Sequence, residues 1–191
     1  LHQWLSIYKG VSRDAANSWA SHFSVSNPIA VRAIAPNGTI GGVAGTTTGI
    51  EPVFGVAYKR RYLVGNKRKY QYVVEHAAQD LINQYGLDPD SIDSASSLAY
   101  NMERRLKFQA DVQDYVDMSI SSTVNLPEWG SEANNPDLIE KTAKLVAQYA
   151  PRLRGLTFYP NGARGGQPLT VVPYSEAKEQ IGKEFEESDF I

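Results

Sequence analysis

The sequence contains no cysteine, and its three histidines, His2, His22 and His76, are scattered along 191 residues. Without cysteine the chain has no disulfide framework, no thiolate metal site and no cysteine nucleophile. The scattered histidines argue against a histidine-based metal site. Long hydrophobic runs are also missing: none approaches the roughly 18 residues that cross a bilayer, and no signal-peptide pattern is present. We therefore expect no membrane partner.

The excess charge is small, with a formal net charge of −2 at pH 7. Dedicated nucleic-acid or membrane-surface binders are strongly basic, so this balance argues against both. A hydrophobic content of 42% and a charged content of 21% are ordinary for a soluble globular protein. Because the first residue is Leu1 rather than Met, we expect a processed product or an excerpt of a longer polypeptide.

One stretch, residues 33–52, is rich in small residues and holds five glycines and four threonines. It starts in an apolar segment and passes through Pro36-Asn37-Gly38-Thr39 into further glycines, which let a backbone approach a ligand closely. A strand that feeds a glycine-containing turn and then a helix start is a natural anion site, because free N–H groups and the helix dipole point the same way. The alternative is a plain turn without a ligand.

Hydrophobic spacing predicts an α/β fold in which strands alternate with helices and are largely parallel. Predicted helices span residues 1–9, 12–23, 70–85, 100–116 and 135–151, and predicted strands span residues 29–35, 53–63, 118–126, 156–159 and 169–172. Trp19 and Phe23 are expected to pack in the core, and Arg104 and Arg105 to face solvent. Residues 1–174 form one predicted domain, and the acidic tail, residues 175–191, is predicted to be a helix that frays.

Four segments occur in a specific order between residues 33 and 169. They are AIAPNGTI with AGTTTGIEP, then FGVAYKRRY, then VDMSISSTVNLP, and finally LTFYPNGARGGQPL. Together they resemble the C-terminal region of the large subunit of ribonucleotide reductases, most closely the adenosylcobalamin-dependent (class II) branch. The resemblance implies the last part of a ten-stranded α/β barrel, which is incomplete in this chain.

The resemblance also implies a substrate site. In this family the turn that matches Pro36, Asn37, Gly38, Thr39 and Ile40 binds the phosphates of the substrate nucleotide. Here Asn37 stands where the family has Thr, which replaces a hydroxyl by an amide, and Gly41 stands where Ser is usual, which removes a donor. Tyr159 and Arg164 match positions expected in the wall of the site. Glu51 could act as an acid or base, but we favour a structural role as a turn cap.

The activity implied by the resemblance is reduction of a ribonucleoside di- or triphosphate to the deoxyribonucleotide by radical chemistry, with adenosylcobalamin as the radical source. The family's radical cysteine and reducing cysteine pair would lie on an N-terminal portion, so this chain is expected to hold no catalytic residue and no metal, and to be inactive alone. Expected partners are that N-terminal portion, the ribonucleotide substrate and a thioredoxin-like or dithiol reductant, in the cytoplasm of a bacterial cell or a phage-infected host.

Two alternatives stay open from the sequence. The chain could be a non-catalytic nucleotide- or phosphate-binding remnant that keeps the same turn. It could also be a fragment of a cobalamin-independent ribonucleotide reductase.

Overall fold

The computed structural model describes residues 1–162, 168–186 and 189, except for the side chains of Gly38, Thr39 and Gly42. Its helices are α1 (His2–His22), α2 (Gly38–Val43), α3 (His76–Tyr85), α4 (Ala95–Leu98), α5 (Met102–Gln113), α6 (Pro136–Tyr149) and α7 (Tyr174–Ala177). Its strands are β1 (Ala57–Val64), β2 (Lys67–Val74), β3 (Thr123–Leu126), β4 (Thr157–Pro160), β5 (Leu169–Val171) and β6 (Glu184–Glu186). Single 3-10 turns lie at Pro89–Ser91 and Ala150–Arg152.

The N-terminal helix α1 is continuous, whereas the sequence pattern predicted two helices separated at Gly10. Gly10 ends a helix only when it takes a left-handed conformation, and here it keeps the helical one. The prediction that Trp19 and Phe23 pack in the core is wrong. Their side chains are 61% and 64% exposed, and the two rings stack on each other with centroids 5.6 Å apart.

The parallel part of the fold consists of β3 and β4, which pair from Thr123 with Thr157 to Leu126 with Pro160. The segment 29–35, predicted to be a strand, forms only an isolated parallel bridge, from Ile34 to Ile120. Likewise the predicted strand 118–126 is regular only from Thr123 onwards. A continuous ladder needs successive paired residues, and in the described structure two backbone bonds join these segments, from the N–H of Met118 to the carbonyl oxygen of Arg32 and from the N–H of Ser121 to that of Ile34.

A second, antiparallel sheet has the strand order β5-β1-β2-β6. The prediction of one helix over residues 70–85 is wrong for its first part, because the residues through Val74 belong to strand β2. Tyr70 and Val74 fit helical spacing, but together with Tyr72 they also alternate, and the β1 pairing decides for the strand. A hairpin with Gly65 at φ +59° joins β1 to β2, so this sheet departs from the predicted parallel arrangement.

The acidic tail also differs from the predicted frayed helix. After the short α7 the chain returns as β6, which pairs with β2 and places Glu186 beside Lys69 at 3.6 Å. Phe185 contacts the ring of Tyr72 edge-on, with centroids 5.4 Å apart. Opposite charges and an aromatic contact between paired strands favour the extended form over a helix.

The main core lies where α5 and α6 cover β3 and β4. Leu106, Ala110, Val124 and Leu145 are buried there, and α6 starts at the side-chain cap Asn135 followed by Pro136. The predicted solvent exposure of Arg105 is wrong: it is buried on the inner side of α5, because its position one turn before Gln109 faces β3. These contacts fix the parallel strands whose ends carry the candidate site.

Candidate functional site

Three chain segments run parallel and end at one edge of the fold. Ile34 bridges Ile120 in parallel, and β3 pairs with β4 in parallel. Because the carboxyl ends of parallel strands meet at one edge, Pro36 and Pro127 follow their segments, and Pro160 ends β4, on the same side of the molecule. In open α/β sheets such edges are where ligands bind.

The predicted phosphate turn leads directly into helix α2. The first helical bond that closes over the turn joins the N–H of Gly41 to the carbonyl oxygen of Asn37, at 2.9 Å. A helix leaves the N–H groups before its first such bond without an intrahelical partner. The amides of residues 38–40 are therefore in the position that an anion uses at a helix start. Pro36 and Ile40 are exposed, so the turn is open to solvent.

Gly41 is required where α2 meets the following loop. A Cβ added at Gly41 would lie 2.9 Å from the carbonyl oxygen of Thr47 and 3.2 Å from the Cα of Thr48. The N–H of Thr46 also donates to the carbonyl oxygen of Gly41 at 3.0 Å. Gly41, where the family usually has a serine, is therefore the residue against which the loop packs. This contact supports the start of α2.

Glu51 lies at the end of that loop and faces structural groups. Its Oε1 is 3.4 Å from the hydroxyl of Thr48. The pKa of Arg105 is lowered by burial, and the charge of Glu51 opposes that shift. These neighbours agree with a structural role for Glu51, although its role stays a prediction.

Tyr159 lies on a polar face of the parallel strands. It pairs with Asn125 across β3 and β4, while the neighbouring pair, Val124 and Phe158, packs in the core under α5. Since side chains alternate along a strand, Thr123 and Asn125 of β3 share the face of Tyr159, away from the helices. A barrel wall with a polar inner face has this pattern.

The sequence reasoning missed the polar groups around Tyr159. Asn125 donates from Nδ2 to Oδ1 of Asn161 at 2.8 Å, and the N–H of Asn161 donates to the carbonyl oxygen of Leu126 at 2.8 Å. The alternation of serine, threonine and asparagine in SISSTVN was the available signal. This alternation indicates a strand with one polar face, whereas a strand buried on both faces would be apolar throughout.

Next to this pair, Glu128 packs over the turn after β4. Gly162 has φ +70°, and a Cβ there would lie 2.8 Å from Oε1 of Glu128. Glu128, Asn161 and Gly162 line one end of an open groove of about 990 Å³ that continues along β5. Arg164, the second predicted wall residue, lies outside the described residues.

The structure thus brings the phosphate turn and Tyr159 to the same edge, with β3 between their strands. Among residues 1–162, 168–186 and 189, no group of three or more histidine, cysteine or acidic side chains could hold a metal ion. Within the same residues, no helix is both long and apolar enough to cross a membrane.

Comparison with known proteins agrees with the geometry. The family model described as ribonucleotide reductase, barrel domain, matches residues 26–150. The vitamin B12-dependent ribonucleoside-diphosphate reductases of Mycobacterium tuberculosis strains H37Rv and CDC 1551 are each 31% identical to this chain over 186 residues. Each match covers 86% of this chain and 26% of the relative, so the chain spans about a quarter of those relatives' length.

A solved structure extends the comparison to the fold. The crystal structure of a B12-dependent (class II) ribonucleotide reductase superimposes on 93% of this chain and 26% of its own, with a TM-score of 0.66. Its sequence identity is 13%, so this likeness concerns the fold alone. The predicted barrel fold is confirmed, and the chain belongs to the ribonucleotide reductase barrel-domain family.

Proposed function

We propose that this chain is the C-terminal part of the barrel of an adenosylcobalamin-dependent reductase that converts ribonucleoside diphosphates into deoxyribonucleotides. The observation that carries the proposal is the helix start at residues 36–41, which directly follows the segment that bridges Ile120 in parallel through Ile34. The diphosphate is favoured over the triphosphate because both mycobacterial relatives are named ribonucleoside-diphosphate reductases.

In this proposal the turn Pro36–Ile40 binds the substrate's phosphates. The amides of residues 38–40 donate hydrogen bonds to phosphate oxygens, and the start of α2 adds the positive end of its dipole. The amide of Asn37 takes the place of the family's hydroxyl. The polar strand face with Asn125 and Tyr159 forms the wall beside the ribose.

The reaction itself needs groups that this sequence lacks. Reduction at the 2′ carbon releases the hydroxyl as water, and a dithiol supplies two electrons and two protons as it becomes a disulfide. The chain contains no cysteine, so both the radical-bearing thiol and the reducing thiols belong to an N-terminal portion of the enzyme. That portion and a thioredoxin-like or dithiol reductant are its proposed partners, in the cytoplasm.

The residues of this chain do not fit the cofactor. Among the described residues all three histidines are exposed, and the groove along β5 is lined by apolar residues and by the acids Asp90 and Glu128 but is open to solvent, so it does not enclose a corrin ring. Adenosylcobalamin would therefore be held by the rest of the intact enzyme, where it supplies the radical. The residues described above only bind and orient the substrate.

Nucleotide titration of the isotope-labelled chain, followed by NMR, tests the binding role. We expect a ribonucleoside diphosphate to shift the amide signals of residues 38–41, because the phosphates accept from these groups. The nucleoside without phosphates is the control and leaves these signals in place. Amide signals of the turn that do not respond at millimolar diphosphate would refute the phosphate site.

A turnover assay tests whether catalysis needs the N-terminal portion of the enzyme in addition to this chain. The chain alone, with ribonucleoside diphosphate, adenosylcobalamin and a dithiol, is expected to form no deoxyribonucleotide. Turnover by the chain alone would contradict the proposal. Phosphate binding without turnover in any reconstituted enzyme would instead favour the non-catalytic remnant.

A further inference from the structure

Helix α1 is attached to the rest of the chain largely through polar groups. The buried guanidinium of Arg32 donates to the carbonyl oxygen of Lys9 and to the hydroxyl of Ser12, both at 3.0 Å. Arg13 of α1 donates to the carbonyl oxygen of Pro28 at 2.6 Å and pairs with Asp117 at 3.2 Å. Of its apolar residues, Leu5 and Ala20 are buried.

Another side of the same helix is apolar and exposed. Trp4, Tyr8, Val11 and Trp19 recur at helical spacing on α1, Phe23 follows directly after its end, and Trp4 is 74% exposed. We call this surface the apolar face of α1. Amphipathic helices normally turn such a stripe toward a core, and exposed contiguous apolar surface marks an interaction site.

The segment that follows α1 carries a second open feature. Ile29 is 95% exposed, and residues 29–35 bridge to Ile120 on one side with no strand paired on the other among the residues that the structure describes. Part of this edge is already used, since the carbonyl oxygen of Ile29 accepts from Arg13 at 3.1 Å and the N–H of Val31 donates to Asp117 at 2.9 Å. The rest of an open strand edge presents N–H and C=O groups with which an incoming strand can pair. The apolar face and the open edge adjoin along the chain, so one partner that offers both a strand and apolar side chains would cover both.

We propose that the apolar face of α1, together with the edge of residues 29–35, is the surface on which the remainder of the reductase barrel docks. This inference rests on the proposed function. It is favoured by the length of the relatives, of which this chain spans 26%, and by the segment 29–35, which has a parallel partner on one side only among the described residues. The occupant is the reductase polypeptide that completes the barrel, rather than a second copy of this chain.

Co-expression provides the test. The whole 191-residue chain is co-expressed with the polypeptide of the Mycobacterium tuberculosis relative from which the region matched by this chain has been removed. We expect the two to co-purify as a one-to-one complex. Trp4→Glu and Trp19→Glu should each weaken the association by about 30-fold or more, as expected for buried aromatic anchors. Ile139→Glu, on the exposed side of α6, is the matched control and should leave it unchanged.

Fluorescence gives a second readout that does not depend on these variants folding. In a Trp129→Phe background only Trp4 and Trp19 emit, since the chain has three tryptophans, and their emission should shift to shorter wavelength in the complex. Failure of the wild-type chain to associate, or association with unchanged emission, would overturn the inference. A stable dimer of this chain that Trp19→Glu dissociates would assign the surface to a second copy instead. A complex that forms through α1 but does not reduce ribonucleotides would leave the interface standing and refute the proposed function.

Discussion

Arg32 and Asp117 form an ion pair, with Nη2 of Arg32 2.6 Å from Oδ1 of Asp117, although Arg32 is only 2% exposed. The same carboxylate accepts from the N–H of Val31 at 2.9 Å and pairs with Arg13 of α1. Arg32 also donates from Nε to the carbonyl oxygen of Tyr115 at 2.9 Å. The ion pair of Arg32 and Asp117 therefore joins three parts of the chain: helix α1, the segment before the turn at residues 36–40, and the segment that follows α5.

Removing the carboxylate should be strongly destabilising. Asp117→Ala leaves the buried Arg32 guanidinium without its counter-charge, and such a loss costs about 3–5 kcal/mol of unfolding free energy. Asp14 is an exposed acid on α1, so Asp14→Ala should change the free energy of unfolding by less than about 0.5 kcal/mol. Urea denaturation measures both. Equal effects of the two substitutions would show that the pair does not hold these elements together.

The same pair predicts a dependence of stability on acid pH. The hydrogen bond from the Val31 amide, and then the charges of Arg32 and Arg13, hold the pKa of Asp117 below its usual value, against the opposing effect of burial. A group whose pKa is lower in the folded state stabilises the fold above its unfolded value of about 3.9 and loses this contribution as pH falls through the folded value. We expect the stability difference between wild type and Asp117→Ala to shrink below pH 4. A difference that stays constant down to pH 2 would contradict the assignment.

Gly41 and Gly10 should respond to alanine in opposite ways. Inside a helix, alanine is normally favoured over glycine by about 1 kcal/mol. At Gly10 an added Cβ meets nothing within 4 Å, so Gly10→Ala should stabilise the chain. At Gly41 the Cβ would lie 2.9 Å from a backbone oxygen of Thr47, so Gly41→Ala should destabilise it by about 1–3 kcal/mol. Thermal unfolding measures the two effects.

The same pair of variants tests the phosphate turn. Gly41→Ala should displace the start of α2 and weaken the amide response to ribonucleoside diphosphate, whereas Gly10→Ala should preserve it. Unchanged nucleotide binding in a destabilised Gly41→Ala chain would show that the loop contact at Gly41 is not needed for phosphate binding.

The sequence predicted the turn and helix start at residues 36–41 and the parallel pairing of β3 and β4 better than the antiparallel sheet, and phosphate binding at that turn stays a prediction. Helix α6 has a strong local signal in Asn135-Pro136, and it begins there. Tyr70 and Val74 fit both helical and alternating spacing, and only their pairing with β1, a contact between distant residues, decides for a strand. Local spacing contains no information about such pairing.

Exposure was the other quantity that local spacing could not give. Trp19 and Phe23 have the spacing of a core face, yet both side chains are exposed in the described structure. The local sequence predicts that Arg105 is a surface cation, but its position on the helix points it toward Ser122, which directly precedes β3. In the candidate site the turn at Pro36 was predictable from its glycines, whereas Asn125 and Asn161, 36 residues apart, are brought together by strand register alone.

Tyr58 should titrate at unusually high pH. Burial, and then the nearby carboxylate of Glu75, which accepts from its hydroxyl at 3.2 Å, raise the pKa of Tyr58 to about 12. A raised folded pKa means that the contribution to stability is present below the unfolded value of about 10 and is lost as pH rises through 12. The tyrosinate absorbance difference between wild type and Tyr58→Phe should therefore appear near pH 12. Glu75→Gln should lower this value only in part, because burial is the larger cause, and a difference that appears at pH 10 would contradict the contact.

Substitutions at Arg105 should separate the effect of volume from that of hydrogen bonding. Its guanidinium contacts Ser122 and lies 3.3 Å from the carbonyl oxygen of Thr123, in the layer between α5 and β3. Arg105→Met fills most of the space and loses these bonds, which should cost about 1–3 kcal/mol. Arg105→Ala also leaves a cavity, so it should cost roughly 2 kcal/mol more.

Arg104 gives the matched control for this comparison, since it precedes Arg105 on α5 but is exposed and pairs with Asp93 at 2.5 Å. Surface pairs contribute about 0–1 kcal/mol, so Arg104→Ala and Arg104→Met should both have small and similar effects in urea denaturation. Because the charges of Glu51 and Arg105 attract each other, losing the cation should also loosen the loop behind the turn at residues 36–40. Arg105→Met should therefore reduce the nucleotide-induced amide shifts of residues 38–41 while Arg104→Met does not, and equal responses would show that the loop is held without Arg105.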